Sequence, residues 1–361
     1  MICVTHLSVS NYRSFSCYDL ELSPGTTILV GRNAAGKTNL VEALQLLTAG
    51  QSFRKPSPAE LVKAGEARAL LAARMEGEGR RVDVELEVER GKRRFRRNGK
   101  ACRAADVRGT VPSVLFCPDH LDMVKRGARV RRAALDDFGV QLNEQYAHLV
   151  GVYERTVEQR NALLKEAFVD KVTLDAWNES ISSTAAALLV HRRALLMRLA
   201  EHFRKIYAHI APDETADVEY LASIGEIGEG ETKEELAARM LDLLHASAAE
   251  ERRRGQTLVG PHRDEVSFTI DGRDARSFGS QGQQRSVVLA WKMAEVEVTC
   301  DIMGRPPLLL LDDVMSELDS NRRERLMGFV EGEVQTVVTT TNLGYFSQAK
   351  IDSSAVVEVG R

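Results

Sequence analysis

The sequence predicts an α/β fold in which a head built around a phosphate loop carries an inserted, mainly helical second lobe. Three observations lead there. Gly31-Arg32-Asn33-Ala34-Ala35-Gly36-Lys37-Thr38 fits the pattern G-x-x-x-x-G-K-[ST] between a strand-like and a helix-like stretch. Leu308-Leu309-Leu310-Leu311 is a continuous apolar run ending in Asp312-Asp313, the profile of a buried parallel strand. Between them, from Arg129 to Arg254, glycine and proline thin out and long amphipathic stretches dominate. We therefore expect a head over residues 1–128 and 255–361, with the lobe over 129–254.

Taken in order, Leu7 to Phe15 and Thr26 to Gly31 read as strands, with Ser23-Pro24-Gly25 turning between them. Leu40, Ala43, Leu44 and Leu47 then recur at helical spacing. Arg81 to Arg90 alternates strictly, with Val82, Val84, Leu86 and Val88 on one face and Asp83, Glu85, Glu87 and Glu89 on the other, as in a half-buried strand. Lys92 to Arg97 can pair with it, and Asn98-Gly99 signals a tight turn. In the lobe, Leu142, Leu149, Val152 and Leu163 form one helical pattern, Leu188 to Leu199 a second, and Glu234 to Arg254 a third. Gly225 to Gly230 reads as a loop. The chain returns to strands and turns near Gly255 and ends on the apolar strands Pro307 to Leu311 and Thr336 to Thr340, with a weaker one at Ala355 to Val359.

Composition narrows the function. Hydrophobic residues make up 43% and charged residues 28%, the balance of a soluble globular chain. No apolar run is long enough to span a bilayer, and the N-terminus lacks the features of a signal peptide. The five cysteines are scattered and form no C-x-x-C pair, which argues against a disulfide framework or zinc site and fits a cytoplasmic chain. The net charge of −3 excludes a uniformly basic nucleic-acid module, so any DNA contact must use local patches.

The chemistry concentrates in four segments. A triphosphate needs several donors converging on one anion, and the N–H groups of a tight loop and helix start supply them. Lys37 is expected to reach the terminal phosphates, and Thr38 to give a hydroxyl to Mg²⁺. Asp312 is expected on the magnesium side, and Asp313 as general base for the attacking water. Ser280-Gln281-Gly282-Gln283 opens the helical stretch Ser286 to Val298 and can bind the γ-phosphate held by a second copy, or simply cap its helix. Ser316-Glu317-Leu318-Asp319 follows the paired acids.

This order of segments resembles the ABC-type P-loop ATPase head. The separation of Lys37 from Asp312 is too long for a transporter subunit and too short for heads split by long coiled coils. The chain is more specifically similar to the RecF family. The resemblance spans nearly its whole length through Asn11-Tyr12-Arg13-Ser14-Phe15, Thr38 to Ala43, Ser52-Phe53-Arg54, Asn98-Gly99-Lys100, Leu115 to Leu121, Arg131-Arg132, Gly260-Pro261-His262-Arg263-Asp264 and Asp312 to Asp319. It implies a protein of recombinational repair, replication and the SOS response. Such proteins bind ATP with Mg²⁺, form an ATP-dependent homodimer, hydrolyse slowly and bind single- and double-stranded DNA. They help load a recombinase at gaps, with RecR and RecO as partners.

The resemblance places Gly31, Arg32, Asn33, Ala34, Ala35, Gly36, Lys37, Thr38 and Asn39 around the nucleotide and puts Arg13 near the adenine. It gives Ser280, Gly282 and Gln283 to the signature segment acting across the dimer, and Asp319 to the interface loop. The chain departs from the family at three places. Ala34 replaces a glycine, Thr339-Thr340-Thr341-Asn342 stands where a switch histidine is usual, and Phe116 to Leu121 holds no glutamine. We expect a hydroxyl or amide contact to the γ-phosphate from the second of these segments, with Thr341 as the candidate.

Lys92, Arg93, Arg94, Arg96, Arg97 and Lys100 put six positive charges within nine residues, and Arg93, Arg94, Arg96 and Arg97 are the candidate DNA contacts. The competing reading of that cluster is a solvated face balanced by nearby glutamates. His262 reads as a hydrogen-bonded structural histidine. The rival function is a nucleotide-gated protein scaffold with vestigial hydrolysis. A P-loop nuclease is disfavoured because it needs a further acid-rich domain.

Overall fold

The computed structural model describes residues 2–228, 230–330 and 334–360, so Glu229, within the loop expected from Gly225 to Gly230, lies outside the described residues. The chain forms two compact units, Met1–His120 with Trp291–Arg361, and Leu121–Ala290.

The first unit begins with β1 (Cys3–Tyr12), β2 (Phe15–Glu21) and β3 (Thr26–Val30), followed by α1 (Lys37–Ala49) and a short α2 (Pro58–Leu61). Next come β4 (Arg68–Gly77), β5 (Arg80–Glu89), β6 (Lys92–Arg97), β7 (Lys100–Cys102), α3 (Ala104–Val107) and β8 (Ser113–Phe116). In β4, Ala69, Leu71, Ala73 and Met75 point inward; its alanines weaken the strand signal, and the strand was not expected. Strands β2-β1-β4-β5-β6-β7 form an antiparallel sheet. The expected β5–β6 pairing is present, and Asn98 (φ 49°) and Gly99 (φ 75°) make the turn into β7.

The second unit holds α4 (Asp122–Lys125), α5 (Ala128–Leu142), α6 (Glu144–Leu164), α7 (Lys171–Ile210), β9 (Ala216–Leu221), α8 (Lys233–Arg254), β10 (Glu265–Ile270), β11 (Arg273–Asp274) and α9 (Ala275–Phe278). The single helical pattern expected from Leu142 to Leu163 is broken at Asn143, whose side chain accepts the N–H groups of Gln145 and Tyr146 and starts α6 anew. This unit runs wider than the 129–254 expected for the lobe. Strand β9, within the stretch expected to be helical, pairs with β10, and that pairing ties residues beyond 254 to the lobe. A buried ion pair pins its core: Arg160 donates to Glu251 at 2.6 Å and to Asn178 and Thr257.

Helix α10 (Gln281–Met303) starts in the second unit and ends in the first. The chain closes with β12 (Leu308–Asp312), α11 (Ser320–Val330), β13 (Thr336–Thr340), α12 (Gln348–Asp352) and β14 (Ala355–Glu358). Strands β14-β3-β13-β12-β8 form an all-parallel sheet, and β3, β12 and β13 are almost wholly buried. Helix α1 is buried on nearly every side, so the phosphate loop is clamped between β3 and a core helix. Among the described residues, no helix is long and apolar enough to cross a membrane.

Candidate nucleotide site

The loop from Gly31 to Gly36 joins the end of β3 to α1. Its two glycines are required by close approach. A Cβ at Gly31 would sit 2.4 Å from Val359 O, and one at Gly36 (φ 103°) 2.5 Å from the Phe15 ring. Among the described residues no side chain caps α1, so its first N–H groups are left without a side-chain acceptor, as anion binding requires. Lys37 is buried and its Nζ donates to Gly31 O at 2.6 Å and Arg32 O at 3.0 Å. Burial lowers its pKa, against the pull of Asp313 and Asp312.

Ala34 sits at φ 64°, the left-handed region that the missing glycine would have suited. Ala34→Gly is therefore expected to stabilise the protein by roughly 1 kcal/mol, read as a higher Tm in thermal unfolding. An unchanged or lower Tm would contradict strain at this position.

At the end of β12, Thr38 Oγ1 donates to Asp312 Oδ1 at 3.0 Å, and Thr339 Oγ1 donates to the same oxygen at 2.8 Å. Asp313 N–H donates to Thr339 Oγ1 at 2.9 Å, and Asp313 adopts φ 53°, a strained conformation for a non-glycine residue. A threonine hydroxyl beside one carboxylate is the sparse oxygen set that suits Mg²⁺, which takes its other ligands from phosphate and water. Among the described residues there is no larger His/Cys/Asp/Glu cluster that could hold a metal. Ser14, Asn33 to Asn39, Arg54, Asp313 and Thr339 line one pocket of about 400 Å³.

Burial raises the Asp312 pKa, while the Thr339 and Thr38 hydroxyls pull it back. A folded-state pKa above the unfolded value favours the folded form at low pH, and that contribution is lost as pH rises through the folded value. Asp312→Asn is accordingly expected to raise the Tm of the nucleotide-free protein at neutral pH, with the gain shrinking as pH falls through the carboxylate range. A gain that does not change with pH would contradict this assignment.

Neither Thr341 nor Arg13 is among the residues lining this pocket. Thr341 lies one residue past β13, exposed and outside the pocket lining; the threonine that reaches the acids is Thr339. The parallel register sets Asp312 opposite Thr339, and a contiguous threonine run does not reveal that register. Arg13, expected near the adenine, makes a bidentate pair with Glu42, at 2.9 and 2.8 Å. Glu42 is fully buried on α1 and also accepts Tyr12 O–H at 2.8 Å and Ser52 O–H at 2.6 Å. Desolvation opposes its charge, but these donors hold its pKa below the ordinary value. An acid inside an otherwise apolar helix pattern was the available signal. Arg54, another pocket residue that sequence reasoning did not assign, donates to Asn39 Oδ1 at 2.9 Å and lies 3.6 Å from Glu42.

Ser280, Gly282 and Gln283 lie at the start of α10, where Ser280 and Gln283 form a reciprocal cap: Ser280 N–H donates to Gln283 Oε1 at 2.8 Å and Gln283 N–H to Ser280 Oγ at 3.2 Å. Asp319 caps α11 by accepting Arg322 N–H at 2.9 Å and also pairs with the Arg322 side chain. His262 accepts from Tyr153 O–H through Nδ1 at 2.7 Å and donates through Nε2 to Thr257 O at 3.0 Å; burial pushes its pKa down to about 4, as befits a neutral structural histidine.

On the basic hairpin, Glu89, Glu87 and Glu85 of β5 stand opposite Lys92, Arg94 and Arg96 of β6. Arg93 donates to Pro56 O at 2.5 Å and Arg97 to Asp106 O at 3.3 Å. This outer face is thus a ladder of matched charges more than a bare basic patch.

The comparisons agree with this geometry. The family model described as RecF/RecN/SMC N terminal domain matches residues 3–359. A DNA replication and repair protein RecF from Gloeobacter violaceus is 39% identical over 98% of this chain and 96% of its own. One from Symbiobacterium thermophilum is 39% identical over 93% and 91%. A solved structure described as the recombination mediator protein RecF-ATP in the RecFOR pathway superposes with TM-score 0.89 at 30% identity, covering 96% of this chain and 94% of that one. An SMC head bound to the C-winged helix domain of ScpA shares the fold, with TM-score 0.57 at 16% identity over 94% and 90%. Phosphate loop, paired acids, signature order and full-length similarity together place the chain in the RecF family of DNA replication and repair proteins, with the ABC-type ATPase head that this family carries.

Proposed function

We propose that this chain binds ATP with Mg²⁺ in the phosphate-loop pocket and pairs with a second copy around that nucleotide. In the paired state it holds single- or double-stranded DNA at gaps. Slow hydrolysis ends the cycle, and the family resemblance supplies RecR and RecO as partners in recombinase loading. The observation that supports this most is the convergence of Thr38, Asp312, Thr339 and Asp313 through three hydrogen bonds beside the loop.

The loop N–H groups and Lys37 hold the phosphates. Thr38 and Asp312 hold Mg²⁺, which when bound neutralises phosphate charge. Asp313 accepts the proton of the attacking water as the bond to the leaving ADP oxygen breaks. The Thr339 hydroxyl accepts the Asp313 backbone N–H and stands where a switch histidine is usual, and a hydroxyl that takes no proton there fits slow turnover. The second copy's Ser280 and α10 start donate hydrogen bonds to the γ-phosphate from the other side. ATP then favours the DNA-binding state through its higher affinity for the dimer.

The test is affinity for a short gapped duplex, measured with and without ATP–Mg²⁺. Tighter binding with ATP supports the reading, and equal affinity overturns the coupling. Arg94→Glu with Arg97→Glu should weaken binding and lower the salt slope by about 2. Unchanged affinity would move the DNA contact away from this hairpin.

A further inference from the structure

We infer that Glu214 is a positioning residue for the signature segment and acts through the side chain of Gln283; this rests on the dimer reading above. Gln283, which the resemblance assigns to the nucleotide, has both ends of its amide engaged. Its Oε1 accepts Ser280 N–H at 2.8 Å, and its Nε2 donates to Glu214 Oε1 at 3.2 Å. A carboxylate accepts and a backbone N–H donates, so these two neighbours together fix which way the amide points. Ser280 Oγ in turn accepts Gln283 N–H at 3.2 Å. That bond commits the serine oxygen and leaves its hydrogen to donate. The exposed start of α10 therefore offers donors, the polarity a phosphate requires.

Glu214 is itself held in place. Its Oε2 accepts Tyr207 O–H at 2.6 Å, and Tyr207 is fully buried in the last turn of α7. Glu214 N–H donates to Ala211 O at 3.1 Å, closing a turn with Pro212 at its second position, where the fixed φ of proline fits. The next residue, Thr215, exchanges hydrogen bonds with Asp271: its N–H donates to Asp271 Oδ1 at 2.9 Å and its carbonyl accepts Asp271 N–H at 2.8 Å. A continuous chain of contacts thus runs from the core tyrosine through Glu214 and Gln283 to Ser280. If Glu214 is removed, Gln283 Nε2 loses its acceptor, the amide is held by the Ser280 N–H bond alone, and the cap opens more often. On this account Gln283 is a strut that sets Ser280, and its partner is an acid that the sequence places far from the signature.

The test uses the full chain with Glu214→Ala and Glu214→Gln. Hydrogen exchange of residues 280–284 without nucleotide should speed up about tenfold in Glu214→Ala. In Glu214→Gln, whose amide oxygen still accepts from Gln283, it should stay within about threefold of wild type. ATP affinity at concentrations where the protein is monomeric should be unchanged in both. Dimerisation in ATP–Mg²⁺ should weaken about tenfold in Glu214→Ala and recover in Glu214→Gln. Wild-type exchange and wild-type dimerisation in Glu214→Ala would overturn the inference. A wild-type protein that does not dimerise with ATP would instead count against the dimer reading, and the exchange result, which needs no dimer, would still decide the role of Glu214.

Discussion

Asp313→Asn is expected to lower ATP turnover by about 10²- to 10⁴-fold, the usual contribution of a positioned general base, while ATP affinity stays within about threefold. The substitution is well chosen for the backbone, because asparagine tolerates the left-handed conformation that Asp313 adopts at φ 53°. It also keeps the N–H that donates to Thr339. The geometry therefore survives and only the proton acceptor is lost. Because hydrolysis is what ends the proposed paired state, the ATP dimer of this variant should persist longer than that of wild type. Single-turnover hydrolysis separates this effect from binding. Turnover within about tenfold of wild type would show that another group takes the proton.

Lys37→Met is expected to weaken ATP binding by about 10²-fold or more, the scale of losing a charge-assisted contact to phosphate in a partly buried site. Lys37 is buried, so methionine preserves the packing of its stem while removing the cation. The side chain also ties the loop to itself through Gly31 O and Arg32 O. Some of the loss will therefore come from a looser loop, and a modest fall in Tm should accompany it. Calorimetric titration with a non-hydrolysable ATP analogue reads the effect directly. Affinity within about threefold of wild type would remove Lys37 from the phosphate contacts.

How much of this was legible in the sequence depends on how far apart the interacting residues lie. The phosphate loop is contiguous, and its chemistry follows from backbone geometry that glycine and lysine spacing encode directly. Even the positive φ of Ala34 could be anticipated from the glycine it replaces. The pairing of Thr38 with Asp312 was legible because each sits in its own recognisable motif. Thr339 was not separable from Thr341, since that choice depends on the register of β13 beside β12. The pairing of Arg13 with Glu42 was not legible because Glu42 lies inside an apolar helix pattern that reads as core. Strand β9 was hidden among helices because its pairing partner, β10, is separated from it by the whole of α8. Helical periodicity is local and was read well over α7 and α8. The hairpin pairing of β5 with β6 was local enough to read as well, whereas pairing between distant strands was not.

The measurement closest to the central claim is sedimentation velocity of the wild-type protein and of Ser280→Arg, each with and without ATP–Mg²⁺. Arginine at this exposed position breaks the reciprocal cap with Gln283 and adds bulk where the second copy's phosphate is proposed to lie, and it leaves the phosphate loop untouched. The account predicts that ATP converts wild type from monomer to dimer, while Ser280→Arg binds ATP normally and remains monomeric. A wild-type protein that stays monomeric with saturating ATP, or a Ser280→Arg protein that dimerises as wild type does, would contradict it.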